Sequence, residues 1–470
     1  MGTPEAQWLL DRAWDSLPAV GLAGLAMAYE GLVVVAAHPD DETLGVGGVI
    51  ASLADMGVPT RLIVATAGER SHPDATQWQP GAVANVRQDE VAAAMRILAP
   101  QATVTHLGLP DGGLADSEEE LTAMVGALLH ETDLVLAPWI HDGHADHDAA
   151  GRAVRRATAT VGCRALYYPV WMWHWAVPEQ FPWECAAVVE LSIEALTRKS
   201  AALQCFPSQT SGLGPLPGDA PVITGSMLER GRRLIEVVLT PDRPSRPHRG
   251  APVTTSSGAP SETFDAMYDG DTDDPWGFED SFYEERKRML TLAVLGRERY
   301  RNGLEIGCAT GRLTQSLAER VDCLTGMDIS AAALRVAARR RFPGSRRSGT
   351  VSWKLGGAPE EVPAGPFDLI VMSEVGYFLS PRSLLATLRR VRGSLASGGE
   401  IVLVDWRHPT RDIPLNGDLV HRQATSVFDL PHRVAYRDAD CRIDVWGSPV
   451  SVAAEESLAD GESRLNHELG

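Results

Sequence analysis

The sequence predicts two doubly wound α/β domains joined by a linker, and three observations lead to this fold class. The chain has 470 residues, more than a single hydrophobic core usually serves. Short apolar runs alternate with helix-like stretches in both halves, as expected of parallel sheets with helices on both faces. The segment 240–262 between the halves is rich in Pro, Ser, Thr and Gly, a composition typical of linkers.

The N-terminal domain, 1–239, contains four predicted strands. Each is a short run rich in Val, Ile, Leu and Ala, and the segments between them have the length and spacing of helices. The strands are "GLVVVAAHP" (31–39), "TRLIVATAG" (60–68), "ATVTHLGLP" (102–110) and "TDLVLAPW" (132–139), and the helices cover 48–56, 84–98 and 117–130. Glycines 45, 47 and 48 either turn the backbone into the first of these helices or allow close packing at its start.

The C-terminal domain, 263–470, shows the same alternation with different motifs. Its predicted strands are "NGLEIGCATG" (302–311), "VDCLTGMDIS" (321–330), "GTVSWKLG" (349–356), "FDLIVMSEV" (367–375) and "GGEIVLVDW" (398–406). A second α/β sheet is the simplest interpretation. The two halves share no motif, so no internal repeat is predicted.

Composition and charge narrow the class of partner. Apolar residues make up 44% of the chain and the formal net charge is -19. Such acidity argues against nucleic acid or an anionic membrane surface, which bind through clustered basic residues. It suits a neutral or cationic small substrate, or simply aids solubility. Six scattered cysteines and an apolar N-terminal run (20–27) too short to cross a bilayer predict a cytoplasmic protein without disulfides.

Imidazole and carboxylate groups follow the first and fourth predicted strands. The first group is His38, Asp40, Asp41 and Glu42, and the second is His141, His144, Asp146, His147 and Asp148. In open α/β sheets, ligands bind beyond the carboxyl ends of the strands, so the two groups are expected to converge. These ligand types suit zinc or another divalent first-row metal ion, and a site with an open position can activate water for hydrolysis.

These motifs carry a family resemblance. "AHPDDE" (37–42) and "HADH" (144–147) resemble the LmbE/PIG-L zinc-dependent de-N-acetylases, which remove acetyl groups from N-acetylglucosamine-type substrates. The resemblance covers most of 31–240 and includes "TAGE" (66–69), "LGLPDG" (107–112) and "KSAALQCFPSQ" (199–209). It implies a Rossmann-like α/β domain.

The resemblance also implies roles for individual residues. It makes His38, Asp41 and His147 the metal ligands and Asp40 the general base. His144 would stabilise the oxyanion or protonate the leaving amine, while Arg87 and Asp111 would contact sugar hydroxyls. The chemistry is consistent with this division, because adjacent aspartates on an extended loop point apart and only one of them need touch the metal.

An aromatic segment, "YYPVWMWHWAVPEQFPW" (167–183), follows the second cluster. Aromatic side chains either fill a core or stack on sugar rings. We expect Tyr167 and Trp171 in the core, and Trp173, His174 and Trp175 in a pocket wall or an interdomain contact.

The C-terminal domain has a cofactor-binding pattern. "LEIGCATGRLT" (304–314) is an apolar strand that ends in a glycine-containing turn before a helix, and Asp328 ends the next strand. Such glycines admit a ligand close to the backbone, and the acidic residue can accept hydrogen bonds from ribose hydroxyls. The pattern alone fits a nicotinamide or a sulfonium cofactor.

The "ExGxxxG" form, "SE" at 373–374 and "GGEIVLVDW" resemble class I S-adenosylmethionine-dependent methyltransferases, which are also Rossmann-like. The resemblance implies S-adenosyl-L-methionine as cofactor. Its amino-acid moiety would lie near Glu305, above Gly307 and Gly311, with its ribose on Asp328. Ile329 would flank the adenine, and Ser373 and Glu374 would face the methyl group. "GGAP" (356–359) stands where many relatives have an acidic residue against the adenine, which leaves that contact open.

A closer resemblance is to the NodS-like N-methyltransferases, which methylate the amine left when a chitooligosaccharide end is deacetylated. It rests on 264–295, with its "DPW" (274–276), and on "DWRHPTRDIPLNGDLVHR" (405–422). Methyl transfer needs an aligned, neutral amine. Glu374, His408 and His421 are the alternatives for accepting its proton or orienting it.

The two implied activities are chemically consecutive. We therefore expect an enzyme that removes an N-acetyl group from an amino sugar, or a sugar-containing natural product, and methylates the freed nitrogen. Two alternatives are methylation at an unlinked position and a non-hydrolytic, sugar-binding first domain. The expected partner is a small N-acetylated sugar or glycoside, without nucleic acid or membrane, and a homo-oligomer is compatible with the sequence.

Overall fold

The computed structural model describes residues 2–241, 261–268, 273–342, 349–408 and 413–447. It divides into two compact units, Met1–Thr255 and Ser256–Gly470. The predicted linker lies mostly outside the described residues, so its bounds stay a prediction. Within the described residues no helix has both the length and the apolar character needed to cross a bilayer.

The first unit is built on a seven-stranded mixed sheet. Its strands are β1 (Gly31–Ala36), β2 (Thr60–Thr66), β3 (Thr103–Leu109), β4 (Asp133–Pro138), β5 (Arg164–Tyr168), β6 (Ala186–Glu190) and β7 (Ile235–Leu239). Their order in the sheet is β3-β2-β1-β4-β5-β7-β6. The five strands β1 to β5 are parallel, whereas β7 pairs antiparallel with both β5 and β6. The predicted parallel sheet is confirmed, and β7 and β6 extend it at one edge through antiparallel pairings.

Helices cover both faces of this sheet. They are α1 (Glu5–Leu9), α2 (Leu22–Ala28), α3 (Asp41–Asp55), α4 (Pro80–Leu98), α5 (Glu118–Gly126), α6 (Ala145–Val161), α7 (Met172–Trp175), α8 (Ile193–Leu203), α9 (Pro207–Thr210) and α10 (Gly225–Gly231). Short 3-10 turns cover Arg12–Ser16, Pro178–Gln180, Trp183–Cys185 and Pro217–Asp219. The central strands β1 and β4 are fully buried, as expected of strands covered on both faces.

Helix α3 begins at Asp41, seven residues before the predicted start at Gly48. The glycines lie inside the helix and allow close packing: a Cβ on Gly45 would lie 2.3 Å from the ring of Tyr168, and one on Gly48 would lie 2.4 Å from Leu191. The early start places Asp41 in the first helical turn.

The second unit repeats the strand order of the first. Its strands are β8 (Tyr300–Ile306), β9 (Val321–Asp328), β10 (Thr350–Leu355), β11 (Phe367–Ser373), β12 (Leu395–Trp406), β13 (His432–Arg437) and β14 (Cys441–Gly447). They are arranged β10-β9-β8-β11-β12-β14-β13, with β14 antiparallel to both its neighbours. The core of this unit includes Leu369, Val371, Val402 and Val445, all of them inaccessible to solvent.

The helices of the second unit are α11 (Ser261–Met267), α12 (Phe282–Ala293), α13 (Arg312–Leu317), α14 (Ala331–Arg339), α15 (Pro381–Ser394) and α16 (Gly417–Phe428), with a 3-10 turn at Gly376–Phe378. In both units the first and fourth strands are adjacent. The residues after those strands therefore share one sheet edge, which is where ligands bind in folds of this kind.

Candidate active sites

The loop between β1 and α3 delivers His38, Asp40 and Asp41 to one point. Asp40 has φ 124°, a conformation that costs a non-glycine residue energy and that often marks functional sites. Two contacts hold the loop. The backbone N–H of His38 donates to Asp41 at 2.8 Å, and the buried guanidinium of Arg87 donates to the carbonyl of Pro39 at 2.6 Å.

The second cluster lies at the start of α6, beyond β4. His144 is the N-cap of this helix, and its Nδ1 accepts the backbone N–H of Asp146 at 3.2 Å. His147 follows in the first turn and is 4% exposed. The ring centroids of His38 and His144 are 4.9 Å apart, and those of His144 and His147 are 4.7 Å apart. The structure therefore brings the two sequence clusters together.

The three side chains expected to bind a metal are spaced as a metal requires. His38 Nδ1 lies 3.2 Å from His147 Nε2 and 3.5 Å from an Asp41 oxygen, and His147 Nε2 lies 3.2 Å from the other Asp41 oxygen. Ligand atoms that are about 2.0–2.1 Å from a tetrahedral zinc ion lie about 3.3 Å from one another. The residues present therefore fit a divalent ion. His144 also brings a ring nitrogen within 4.8 Å of ligand atoms of His38 and His147.

Carboxylates contact His147 and His38 at the ring nitrogen that is not proposed to bind the metal. His147 Nδ1 lies 2.6 Å from Asp142, whose carboxylate also accepts the backbone N–H groups of Val170, Trp171 and Met172. Outer carboxylates of this kind fix the tautomer and the ring orientation of metal-binding histidines.

Two carboxylates perform the same function for the other imidazole. His38 Nε2 lies 3.1 Å from both Asp146 and Asp111. The carboxylate of Asp146 is in turn held by the backbone N–H groups of Gly112 and Leu114. Asp142 was absent from the sequence-based site. The sequence gives only a weak signal for Asp142, which is a single acidic residue five positions before His147. Its role depends on backbone N–H groups of a loop that lies far from it in the sequence.

Asp40 lies beside this cluster without belonging to the three-ligand set. Its Oδ2 accepts a hydrogen bond of 3.0 Å from Arg87, which also binds the carbonyl of Gly68. Burial raises the pKa of Asp40 to about 7, against the opposing effect of Arg87. Burial likewise raises the pKa of Glu42 to about 7, and Glu42 accepts the backbone N–H of Asp40 and the hydroxyl of Thr43.

The residues expected to contact sugar hydroxyls are both in the site and already hold protein groups. Arg87 is 3% exposed and binds the loop of Asp40. Asp111 contacts His38 and accepts the backbone N–H of Arg70 at 2.7 Å. Their contact with a sugar stays a prediction, and what the structure shows is that they position His38 and Asp40.

The aromatic segment differs from expectation in one respect. Tyr167 is buried as expected, but Trp171 is partly exposed and its ring centroid lies 6.3 Å from that of His144. Trp173 stacks on Phe181 and packs edge-on against Trp8. The indole nearest the imidazole cluster is therefore Trp171 rather than Trp173.

In the second unit, the glycine turn follows β8 as predicted from the sequence. Gly307 and Gly311 have φ 79° and 75°, a region that favours glycine. A Cβ on Gly307 would lie 2.1 Å from Val375, which explains the absence of a side chain there. Glu305 is fully buried beneath this turn, where burial raises its pKa to about 8, and its Oε2 has no partner among the described residues.

Asp328 is the last residue of β9, and its carboxylate links the loop after β8 to the loop after β9. Its carboxylate accepts the backbone N–H of Ala309 at 2.8 Å and that of Ser330 at 2.8 Å. Ile329 lies against Gly357, where a Cβ would approach its side chain to 3.2 Å. The structure thus places the predicted ribose and adenine residues around one end of the sheet.

Ser373 ends β11, and Glu374 follows it with φ 60°. Glu374 forms an ion pair of 2.7 Å with the buried Lys287, and its other oxygen accepts the backbone N–H of Trp406 and the hydroxyl of Tyr377. Lys287 belongs to α12 and was missed in the sequence, because a lysine in a charged helix is indistinguishable from a solvated one.

The two histidines of the C-terminal motif are in opposite environments. His408 has an exposed side chain and contacts Asp440 at 2.8 Å. His421 is inaccessible to solvent and lies between Asp444, at 2.6 Å, and Asp405, at 3.2 Å. Burial disfavours the charged ring of His421, yet the two carboxylates raise its pKa. His421 is thus an internal ionic group, whereas His408 is accessible to ligands.

Comparisons with known proteins match each unit separately. Residues 33–158 match the family model of the GlcNAc-PI de-N-acetylases (PIG-L), and residues 304–401 match that of a methyltransferase domain. Nodulation protein S of Rhizobium tropici is 31% identical over 28% of this chain and 54% of its own length. The 1D-myo-inositol 2-acetamido-2-deoxy-alpha-D-glucopyranoside deacetylase of Nocardia farcinica is 29% identical over 38% of this chain and 65% of its own length.

The chain thus spans between about half and two thirds of the length of these two curated relatives. Among solved structures, the N-methyltransferase NodS of Bradyrhizobium japonicum WM9 in complex with S-adenosyl-L-homocysteine is 27% identical. The match covers 40% of this chain and 98% of that one, with a TM-score of 0.35. Residues 33–158 and 304–401 therefore carry one domain each, the first similar to the PIG-L de-N-acetylases and the second to a methyltransferase domain.

Proposed function

We propose that this protein is a bifunctional enzyme that hydrolyses the N-acetyl group of an amino sugar, or of a sugar-containing natural product, and then N-methylates the freed amine with S-adenosyl-L-methionine. The observation that carries the first activity is the spacing of His38, Asp41 and His147. That spacing fits a zinc-like ion beside an acidic group that is not part of the ligand set.

A bound divalent ion would polarise the acetyl carbonyl and make water more acidic. Asp40 accepts the proton of the attacking water, because its Oδ2 is held by Arg87 and its carboxylate stands next to the ligand Asp41. As the water oxygen bonds to the acetyl carbon and the C–N bond breaks, the nitrogen gains a proton. Acetate and the free amine are the products.

His144 faces the same cluster from the start of α6. Its Nδ1 accepts a backbone N–H, so the neutral ring carries its proton on Nε2. Burial lowers the pKa of His144, and the neighbouring imidazoles lower it further. The Nε2–H group stabilises the developing negative oxygen or protonates the leaving nitrogen.

In the second unit, the acceptor amine attacks the methyl carbon of the sulfonium, the S–CH₃ bond breaks, and the nitrogen loses a proton. We assign Glu374 to orienting the amine, since it follows β11 at the ligand-binding edge and is partly exposed, whereas His421 is enclosed by carboxylates. Its ion pair with Lys287 fixes the position of the Glu374 carboxylate, which suits a residue that orients a polar nitrogen.

The test is to incubate the zinc-loaded full chain with N-acetylated sugars and S-adenosyl-L-methionine and to follow products by mass spectrometry. We expect a product that has lost an acetyl group, followed by one that has gained a methyl group on the same nitrogen. A deacetylated amine that is never methylated would refute the sequence of two steps. A methyl group on oxygen would favour unlinked positions, and methylation without any deacetylation would favour a non-hydrolytic first domain.

A further inference from the structure

A second polar pocket lies in the first unit, away from the imidazole cluster. Its volume is about 30 Å³, and its lining includes Lys199, Arg230, Arg233 and Glu236 together with the apolar side chains of Val170 and Trp173. A water molecule needs about 10–15 Å³ of such space. The pocket therefore has room for one or two water-sized groups, and its polar lining is dominated by cations.

Two of the three cations have a carboxylate partner at a short hydrogen-bond distance. Lys199 forms an ion pair of 2.6 Å with Glu236, whose oxygens also accept the backbone N–H groups of Gly48 and Val49. Arg233 binds Glu5 through two hydrogen bonds of 2.6 and 2.7 Å. Both carboxylates are buried and fully engaged by these pairs.

The third cation, Arg230, is left with a shortage of acceptors. Its side chain is 5% exposed. Its Nη2 binds the carbonyl of Thr3, but neither Nε nor Nη1 has a hydrogen-bond partner among the described residues. Glu5 lies 3.5 Å from Nε and already serves Arg233, and Glu229, which acts on Arg230 electrostatically, is exposed.

Three buried cations thus share two buried carboxylates. Burial and the neighbouring Arg233 lower the pKa of Arg230 to about 10, but an arginine at neutral pH keeps its charge. A buried charge whose N–H groups are incompletely paired is unfavourable, so a pocket of this composition favours a bound counter-ion.

We propose that this pocket binds a small monovalent anion, a halide or a small carboxylate such as acetate, with Arg230 Nη1 as its principal donor. One excess positive charge matches one negative charge, so a monovalent anion is expected rather than a divalent oxyanion. None of the lining residues of this pocket is a proposed metal ligand or the proposed general base.

A bound anion would also stabilise the backbone around Val170, which is the segment that orients His147. Val170 lines the pocket, and its backbone N–H donates to Asp142, which in turn holds His147. An anion that fixes this segment therefore stabilises the folded first unit.

The test compares thermal unfolding of the full chain, followed by tryptophan fluorescence, in sodium sulfate and in mixtures with sodium chloride, bromide or acetate at matched ionic strength. We expect the unfolding midpoint to rise by about 2–6 °C as the monovalent anion saturates the site. Sulfate stabilises proteins in general by exclusion from their surface, so the effect of the site is the difference in salt response between the unaltered chain and Arg230→Met. No difference between the two would overturn the proposal. A rise with halides but not acetate, or the reverse, identifies the ligand class.

Arg230→Met should abolish the anion dependence, whereas Arg164→Met, at an exposed arginine of the same unit, should keep it. An anion-dependent midpoint that persists in the first variant contradicts the assignment. Since the first variant could fail to fold, crystals of the unaltered protein soaked in bromide provide a second measurement. An anomalous peak within hydrogen-bond distance of Arg230 Nη1 is expected, and its absence would overturn the proposal.

Discussion

Asp142 holds His147 through a hydrogen bond of 2.6 Å between Oδ2 and Nδ1, and neither side chain is more than 5% exposed. Three backbone N–H groups of the segment after β5 fix the same carboxylate. Although burial disfavours the charged ring, Asp41 and Asp142 raise the pKa of His147 to about 10.

Asp142→Asn should therefore weaken zinc binding by about 10–100-fold, because the amide keeps the shape of the carboxylate but supports the imidazole less well. Competition with a chelating dye measures the dissociation constant. Asp116→Asn, at an exposed position of the same unit, is the matched control. Equal zinc affinity in the two variants would show that Asp142 has no part in orienting a ligand.

Asp40→Asn should lower deacetylation by at least about 100-fold while leaving zinc content unchanged, because it removes a proton acceptor and no proposed ligand. Product release is followed as free amine, and metal is measured by atomic absorption. Asp74→Asn is the control, since Asp74 ends a second His-Pro-Asp triplet in an exposed loop. Loss of zinc from the Asp40 variant would instead place this residue among the ligands.

His421→Leu should destabilise the second unit by about 3–5 kcal/mol, because Asp405 and Asp444 would be left buried without their shared imidazole. His408→Leu should cost about 1 kcal/mol or less, since that histidine is exposed and has a solvated partner. Urea unfolding of the full chain measures both. Similar losses of stability in the two variants would contradict the difference in burial.

Glu305 should make the stability of the second unit fall with rising pH. Burial raises its pKa from the ordinary 4.5 to about 8, so its contribution is fully present below pH 4.5 and is lost as pH rises to about 8. Between pH 5 and pH 8 the unaltered chain should lose more stability than Glu305→Gln, and the two losses in free energy of unfolding should differ by about 1–4 kcal/mol. This range follows from about 1.36 kcal/mol per unit of pKa shift.

Urea unfolding without cofactor at the two pH values gives the difference. Glu319→Gln, at an exposed position of the same unit, should leave the pH dependence intact. Parallel curves for the Glu305 variant and the unaltered chain would mean that this carboxylate is ionised when buried.

The sequence was sufficient to predict those features that depend on the local pattern of apolar and polar residues. The apolar runs predicted nine strands, and the positions of His38 and His147 after the first and fourth of them predicted their approach. Five strands, β5, β6, β7, β13 and β14, were missed, because runs of five to seven residues show too short an apolar pattern to be recognised alone. Their partners are set by tertiary contacts.

Long-range contacts also explain the other differences. Asp142 orients His147 only because the backbone near Val170 returns to it. Trp173 is buried because α1 brings Trp8 against it. The sequence around the aromatic segment does not indicate this contact. Asp111 contacts His38 and Arg87 contacts Asp40, and both contacts depend on the folded geometry. The sugar contacts that the resemblance implies for these two residues stay a prediction.

The anchoring of α3 by Glu236 determines how much of the chain the first unit needs to fold alone. Glu236 lies on β7 and receives the N–H groups of Gly48 and Val49, on the same helix that begins with Asp41. The segment that matches the family, 33–158, contains the proposed metal ligands but ends before β7. A fragment cut at that limit would lose a buried acceptor and three strands of the sheet. The smallest self-sufficient piece must therefore continue to Leu239.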